Sequence, residues 1–179
     1  MESERIILGS GKLYCMLYTG EIPEDTAIET DENQLAHIKG GASLEYSATT
    51  YTAKDDLGVV SKTIVTEEDA TLKAGLLTWC AKTLKKLCAT ARVTETAKKR
   101  TVKIGGIKNQ TREKYLIRFL HEDEEDGDIR VTIVGKNEAG FSFTFAKDAE
   151  STIEPQFKAH PMDKEGTLII FDEEIKAEA

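Results

Sequence analysis

The feature that most constrains this fold is the segment from His37 to Trp79, HIKGGASLEYSATTYTAKDDLGVVSKTIVTEEDATLKAGLLTW. Two runs of period-two alternation are separated by a charged Asp55-Asp56-Leu57-Gly58 break and then give way to a helical period. Successive side chains of a strand point to opposite faces. A strand over Ile38–Ala48 therefore puts Ala42, Leu44 and Tyr46 on one face and Ser43, Glu45 and Ser47 on the other. Thr49 to Gly58 reads as a long connection. Val59–Val65 and Ala70–Ala74 read as strand, bent or interrupted at Glu67-Glu68-Asp69. The segment holds no nucleophile–base pair and no metal-ligand spacing.

From Leu76 the period changes. Leu76, Trp79, Cys80, Thr83, Leu84, Leu87 and Cys88 recur at spacings of three and four, which predicts one face of an amphipathic helix. Its packing core is Leu76, Trp79, Cys80, Leu84 and Leu87, with Lys82, Lys85 and Lys86 largely opposite and Thr78 as N-cap. Elsewhere the alternation is that of strands: Lys12–Tyr18, Tyr115–Leu120, Ile129–Val134, Phe141-Ser-Phe143-Thr-Phe145 and Thr167–Phe171. Gly20–Asn33 reads as loop. Many short strands and one helix predict a mainly β fold, a β-sandwich or barrel with one flanking α-helix. We read residues 1–179 as one domain with long loops at about 20–34 and 48–60.

A hydrophobic content of 40% beside 31% charged residues is that of a globular chain and excludes wholesale disorder. No apolar run reaches the roughly 20 residues a membrane helix needs. The start, MESERIILGSGK, lacks the shape of a signal peptide, and three scattered cysteines read as free thiols of a reducing cytoplasm. Charge is more informative in its placement than in its sum of −8. Between Lys82 and Lys108 nine bases face one acid, so this segment is +8 and the remainder −16. Acids are densest at Glu122-Asp123-Glu124-Glu125-Asp126-Gly127-Asp128. Such polarity suits head-to-tail self-association, with Lys98, Lys99 and Arg100 meeting Glu122, Asp123 and Glu124. It also suits two solvated patches. A further reading is a nucleic-acid-binding domain using the basic segment 82–108, against which stand its lack of stacking aromatics and the acidic whole.

Chemistry is hard to place. Gly9-Ser10-Gly11-Lys12 resembles the end of a phosphate loop, but Ile6 and Leu13 occupy its other required positions and a strand follows where a helix should begin. His37, His121 and His160 stand apart, and Cys80 and Cys88, two helical turns apart, read as core rather than metal ligands. The acidic run loses the register of a calcium loop at Arg130 and Val131. We expect no catalytic residue, metal or cofactor.

The order of Gly11-Lys12-Leu13-Tyr14, Gly20-Glu21-Ile22-Pro23, Gly40-Gly41, Leu44-Glu45-Tyr46, Asp55-Asp56-Leu57-Gly58, Lys62-Thr63, Phe157-Lys-Ala-His-Pro161 and Gly166-Thr-Leu168 closely resembles the tail tube (major tail) proteins of bacteriophages, including the tubes of phage-tail-like bacteriocins. The resemblance implies a non-catalytic virion protein, assembled in the bacterial cytoplasm into homohexameric rings stacked as a hollow tube for DNA ejection. Its implied partners are further copies of itself, the tape measure, the tail terminator, baseplate or tip proteins, and a sheath where the tail contracts. DNA would transit without specific binding, and no membrane is involved. In that family a long loop between two early strands packs onto the adjacent ring. This maps here to Tyr46–Ser61, with Tyr46, Thr50, Tyr51, Lys54, Asp55, Asp56, Leu57 and Ser61 as interface residues. A conduit must not hold its cargo, so the lumen should be net negative, with most of the 82–108 bases turned outward or into interfaces.

Overall fold

The computed structural model describes residues 9–148 and 150–176. The chain start on which the absence of a signal peptide was read, and the closing residues 177–179, lie outside the described part. The fold is mainly β, as expected. In chain order the elements are β1 (Lys12–Leu17), α1 (Asp25–Ile28), β2 (Gln34–Ala36), β3 (Ile38–Lys54), β4 (Ser61–Leu76), α2 (Ala81–Leu87), β5 (Arg92–Thr96), β6 (Lys99–Lys103), β7 (Tyr115–His121), β8 (Ile129–Asn137), β9 (Gln156–Ala159) and β10 (Ile170–Glu173). A 3-10 turn spans Ile107–Asn109.

One antiparallel sheet, ordered β2-β1-β7-β8-β9-β4-β3, carries the fold, and β5 and β6 form a separate hairpin. β8 pairs with β7 along one edge. Its other edge is divided, with β10 on Ile129–Thr132 and β9 on Gly135–Asn137. The sheet curls so that Leu13 and Cys15 of β1, Ile117 of β7, Ile133 of β8, Phe157 of β9 and Leu72 and Leu76 of β4 share one core, closed by Leu84 and Leu87 of α2. Alternation is what allows this. Ile117 faces that core, while its neighbours Leu116 and Arg118 face the opposite side. There Tyr14, Leu116 and Leu120 pack under Ile28 of α1.

Arg118 is 2% exposed. It donates from Nε to Thr132 Oγ1 at 2.9 Å and pairs with Asp25 and with Glu29 at 3.3 Å. Arg130 holds the same Glu29 at 2.8 Å and Asp128 at 3.2 Å. A guanidinium this buried is tolerable only when its charge and its donors are both met. The pairs therefore pin α1, in a segment read as loop, to the sheet.

Several expectations are corrected. The helix begins at Ala81, because the β4 ladder claims the chain through Leu76, which pairs with Ile38 and bridges Ile153. Thr78 does not cap it. Its hydroxyl accepts the His37 N–H at 2.9 Å, and Cys80 takes the N-cap position. Phe141–Phe145 alternates but forms no strand. Asn137 donates to the carbonyls of Leu87 and Gly140 and accepts the Gln156 N–H, which turns the chain off β8 before a ladder can form. The rings of Phe141, Phe143 and Phe145 meet in succession instead, tilted in the first pair and stacked in the second, with Trp79 4.4 Å from Phe143. Strands β2, β5, β6 and β9 went unpredicted, and the closing strand starts three residues later than its pattern suggested.

This partition of burial predicts a contrast measurable by urea denaturation. Phe157→Ala, in the core, should cost about 3–5 kcal/mol. Leu57→Ser, 86% exposed, should move stability by no more than about 0.5 kcal/mol. Comparable losses from the two would contradict the assignment of the core.

Candidate assembly interface

β3 and β4 make a hairpin far longer than the core requires. Of β4, only Ala70, Leu72, Ala74 and Leu76 are buried, at alternate positions. Every residue from Ser43 to Glu68 is exposed. The ladder nevertheless continues outward from Ser47↔Asp69 to Lys54↔Ser61, an arm of about 25 Å at strand rise. A β-bulge at Thr66 sits within it, between the Thr49↔Glu67 and Thr50↔Val65 pairs. This lies one residue from the interruption read at Glu67-Glu68-Asp69, and the strand runs through it.

The segment read as a loop over 48–60 is therefore mostly strand, and only Asp55–Val60 turns. In that turn the Asp55 N–H donates to the Val60 carbonyl at 3.0 Å, the Val60 N–H to Asp55 Oδ1 at 2.8 Å, and the Gly58 N–H to the Asp55 carbonyl at 3.0 Å. Gly58 supplies the positive φ of 69° that the turn needs. Leu57, Val59 and Val60 at the tip are 86%, 79% and 67% exposed.

Of the eight residues assigned to ring contact, Tyr46 stands at the root of this arm opposite Ala70, and the other seven lie on it. Tyr46, Thr50, Tyr51 and Lys54 are on β3, Asp55, Asp56 and Leu57 in the turn, and Ser61 opens β4. Side chains of directly paired residues share a face. Tyr51 and Ile64 thus meet on one face, and Thr50 and Val65 on the other. Thr52 and Thr63 hydroxyls pair at 2.9 Å, and the Tyr46 hydroxyl donates to Glu68 at 2.5 Å. A two-stranded ribbon with apolar groups on both faces has no layer to bury them against, and alone it is marginally stable. The sequence signal for strand here was the run of Thr, Tyr, Val and Ile, not alternation of polarity.

The helix packing set divides. Leu84 and Leu87 are buried on α2, and Leu76 is buried on β4. Trp79 is 38% exposed and Cys80 is exposed, so neither fills the core, because both precede the first helical turn. Cys88, also read as core, is half-buried. The Cys15 thiol, fully enclosed, is pushed up to about 12 by burial. For Cys80 partial burial acts upward but is outweighed: hydrogen bonds from Thr83 and the Lys82 N–H, with the nearby Arg100 charge, hold it below its ordinary value.

The charged candidates stand on two separate turns. Lys98 and Lys99 lie at the tip of the β5–β6 hairpin, where Arg100 pairs with Glu95 at 2.7 Å. Glu122, Asp123 and Glu124 begin the β7–β8 turn. Lys12 holds Glu122 at 2.7 Å, and Asp123 accepts the N–H groups of Asp126 and Glu125, which depress its pKa. Sequence reading missed that β10 brings Asp172, Glu173 and Glu174 beside this turn, with the Glu174 N–H on the Asp128 carbonyl at 2.9 Å. Gly9-Ser10-Gly11 leads straight into β1. At Gly11 a Cβ would stand 2.2 Å from the Leu120 carbonyl, so its glycine answers to packing. Among the described residues no group of three His, Cys, Asp or Glu could hold a metal ion.

No family model matches this chain, and no curated protein does. Among solved structures, a chain of the virion of a native gene transfer agent particle overlays 91% of this chain and 95% of its own, with TM-score 0.43 and 7% identity.

Two measurements test the geometry. Amides of the arm, from Ser47 to Asp69, should exchange with deuterium well before those of β7 and β8 in the isolated subunit. At neutral pH, Cys80 should react first with iodoacetamide and Cys15 last. Raising the pH toward 9 should speed Cys88 more than Cys80, whose thiolate is already favoured. Labelling of Cys15 in the folded chain would contradict its burial.

Proposed function

We propose that this chain is a structural, non-catalytic subunit that polymerises through its β3–β4 arm, and that its assembly is the phage tail tube of stacked hexameric rings through which DNA passes. The observation that carries this reading is the arm itself. It is an ordered ladder some 25 Å long with apolar groups on both faces and an apolar tip, and among the described residues nothing covers it. Exposed apolar area of this extent marks an interaction surface. The ordered series of motifs shared with tail tube proteins supplies the kind of assembly, and the arm coincides with the segment that series assigns to ring-to-ring contact. Tape measure, terminator and baseplate or tip proteins, and a sheath in a contractile tail, follow as partners on the same reading, and the place of the protein is the virion tail.

The test is negative-stain electron microscopy of the purified chain at rising concentration, beside Leu57→Asp/Val59→Asp. Wild type should form rings or tubes. The variant should keep its urea midpoint and remain a single subunit. Tubes formed equally well by the variant would remove the arm from the contact, and an enzyme or a DNA-bound monomer would remove the reading as a whole.

A further inference from the structure

The basic segment is one structural unit. The β5–β6 hairpin packs against α2, and across that seam the charges of Lys82 and Arg100 reach Glu95 and Cys80. Of its exposed bases, Lys82, Lys85, Lys98, Lys99, Lys103 and Lys108 make no ion pair among the described residues, and Arg100 takes the segment's single acid, Glu95. Two other bases are spent on the fold: Lys86 on the Cys15 carbonyl and Arg92 on that of Gly105.

A second unit has the opposite sign. Folding adds Asp172, Glu173 and Glu174 of β10 and its end to the six acids of residues 122–128. Among the described residues three bases stand among these nine carboxylates. Lys12 is on Glu122, Arg130 pairs with Asp128 and Glu174 but is shared with Glu29 and Asp25, and the Lys176 ammonium lies on the carbonyls of Asp123 and Glu124. Among the described residues no ion pair joins the basic unit to the acidic one. Among the described residues, the exposed lysines of the first unit and Glu124 and Glu125 of the second make no ion pair. Two unlike patches on one molecule that cannot meet each other meet between molecules, and the contact is heterologous, leaving a free patch at each end for the next copy.

We propose that the α2–β5–β6 face of one copy docks on the acidic β7–β8 and β10 end of another, as a second contact distinct from the arm. This rests on the self-assembly reading above and names a surface for it. Complementary potentials of this kind set orientation and association rate and are screened by salt.

The test is sedimentation velocity on three proteins: wild type, Lys98→Glu/Lys99→Glu and Glu124→Lys/Glu125→Lys. Among the described residues none of the four side chains makes a hydrogen bond or ion pair, so all three proteins should fold alike. Each reversal alone should weaken association about tenfold or more. An equimolar mixture of the two should recover it, because each altered face then meets its new complement. Raising salt from about 50 to about 500 mM should weaken association of the wild type. Wild-type association that neither reversal changes would overturn this contact and leave the assembly reading standing. A wild type that never associates removes both. Loss of affinity for a short DNA duplex in the Lys98→Glu/Lys99→Glu variant, with association unchanged, would give the basic face to nucleic acid and overturn the proposal.

Discussion

The architecture depends on how one strand edge is shared. The outer edge of β8 offers a single row of donors and acceptors, and two strands divide it. β10 takes Ile129 to Thr132, β9 takes Gly135 to Asn137, and the His160 N–H reaches the Val134 carbonyl at 2.7 Å between them. Gly135 makes the change possible. A Cβ there would stand 1.9 Å from the Lys158 carbonyl, so any side chain would push β9 away. Through β9 the sheet continues to β4 and the long arm. Through β10 three carboxylates are brought to the acidic turn. Both candidate contact surfaces are thus placed by the same strand.

Burial is organised differently on the two faces of the sheet. The inner face is hydrocarbon from β1 to β4, and its stability follows from area removed from water. The outer face, under α1, mixes Ile28, Leu116 and Leu120 with Arg118 and Arg130 and their carboxylates. Such a network contributes less net stability than its geometry suggests, because both charges are desolvated. What it adds is position, since a four-residue helix has too few internal hydrogen bonds to hold itself in place.

Most of the elements that sequence reading found are buried on at least one side. β1, β7, β8 and the inner half of β4 alternate because one face of each meets the core. Where neither face is buried the pattern weakens. Thr49–Lys54 is strand without a polarity period and was read as connection, while Ser61–Val65, equally exposed, was read as strand within Val59–Val65. β5 and β6 are similar to Thr49–Lys54, since Lys, Arg, Thr and Glu fill most of their positions. The opposite failure is Phe141–Phe145, where side chains alternate but the backbone finds no partner. Alternation reports which face is apolar; a strand also needs an edge within reach. The helical period failed for a related reason, as Leu76 and Trp79 fit its spacing while the ladder had already taken the chain. The segment that forms the exposed arm was singled out by the motif series before its strands were known. The acidic contribution of β10 was not, because it exists only once residues 172–174 are folded beside residues 122–128.

At the root of the arm, β3 takes four residues from Ile38 to Ala42 where β4 takes two, and the excess includes Gly40 and Gly41, with φ of 80° and 77°. No atom lies within 4 Å of where either side chain would be. This is an open joint set between the core strands of the sheet and the exposed ribbon. In the proposed assembly, changes of angle between successive layers would fall on these two residues, which have the widest backbone freedom, and would leave the packed interior undeformed.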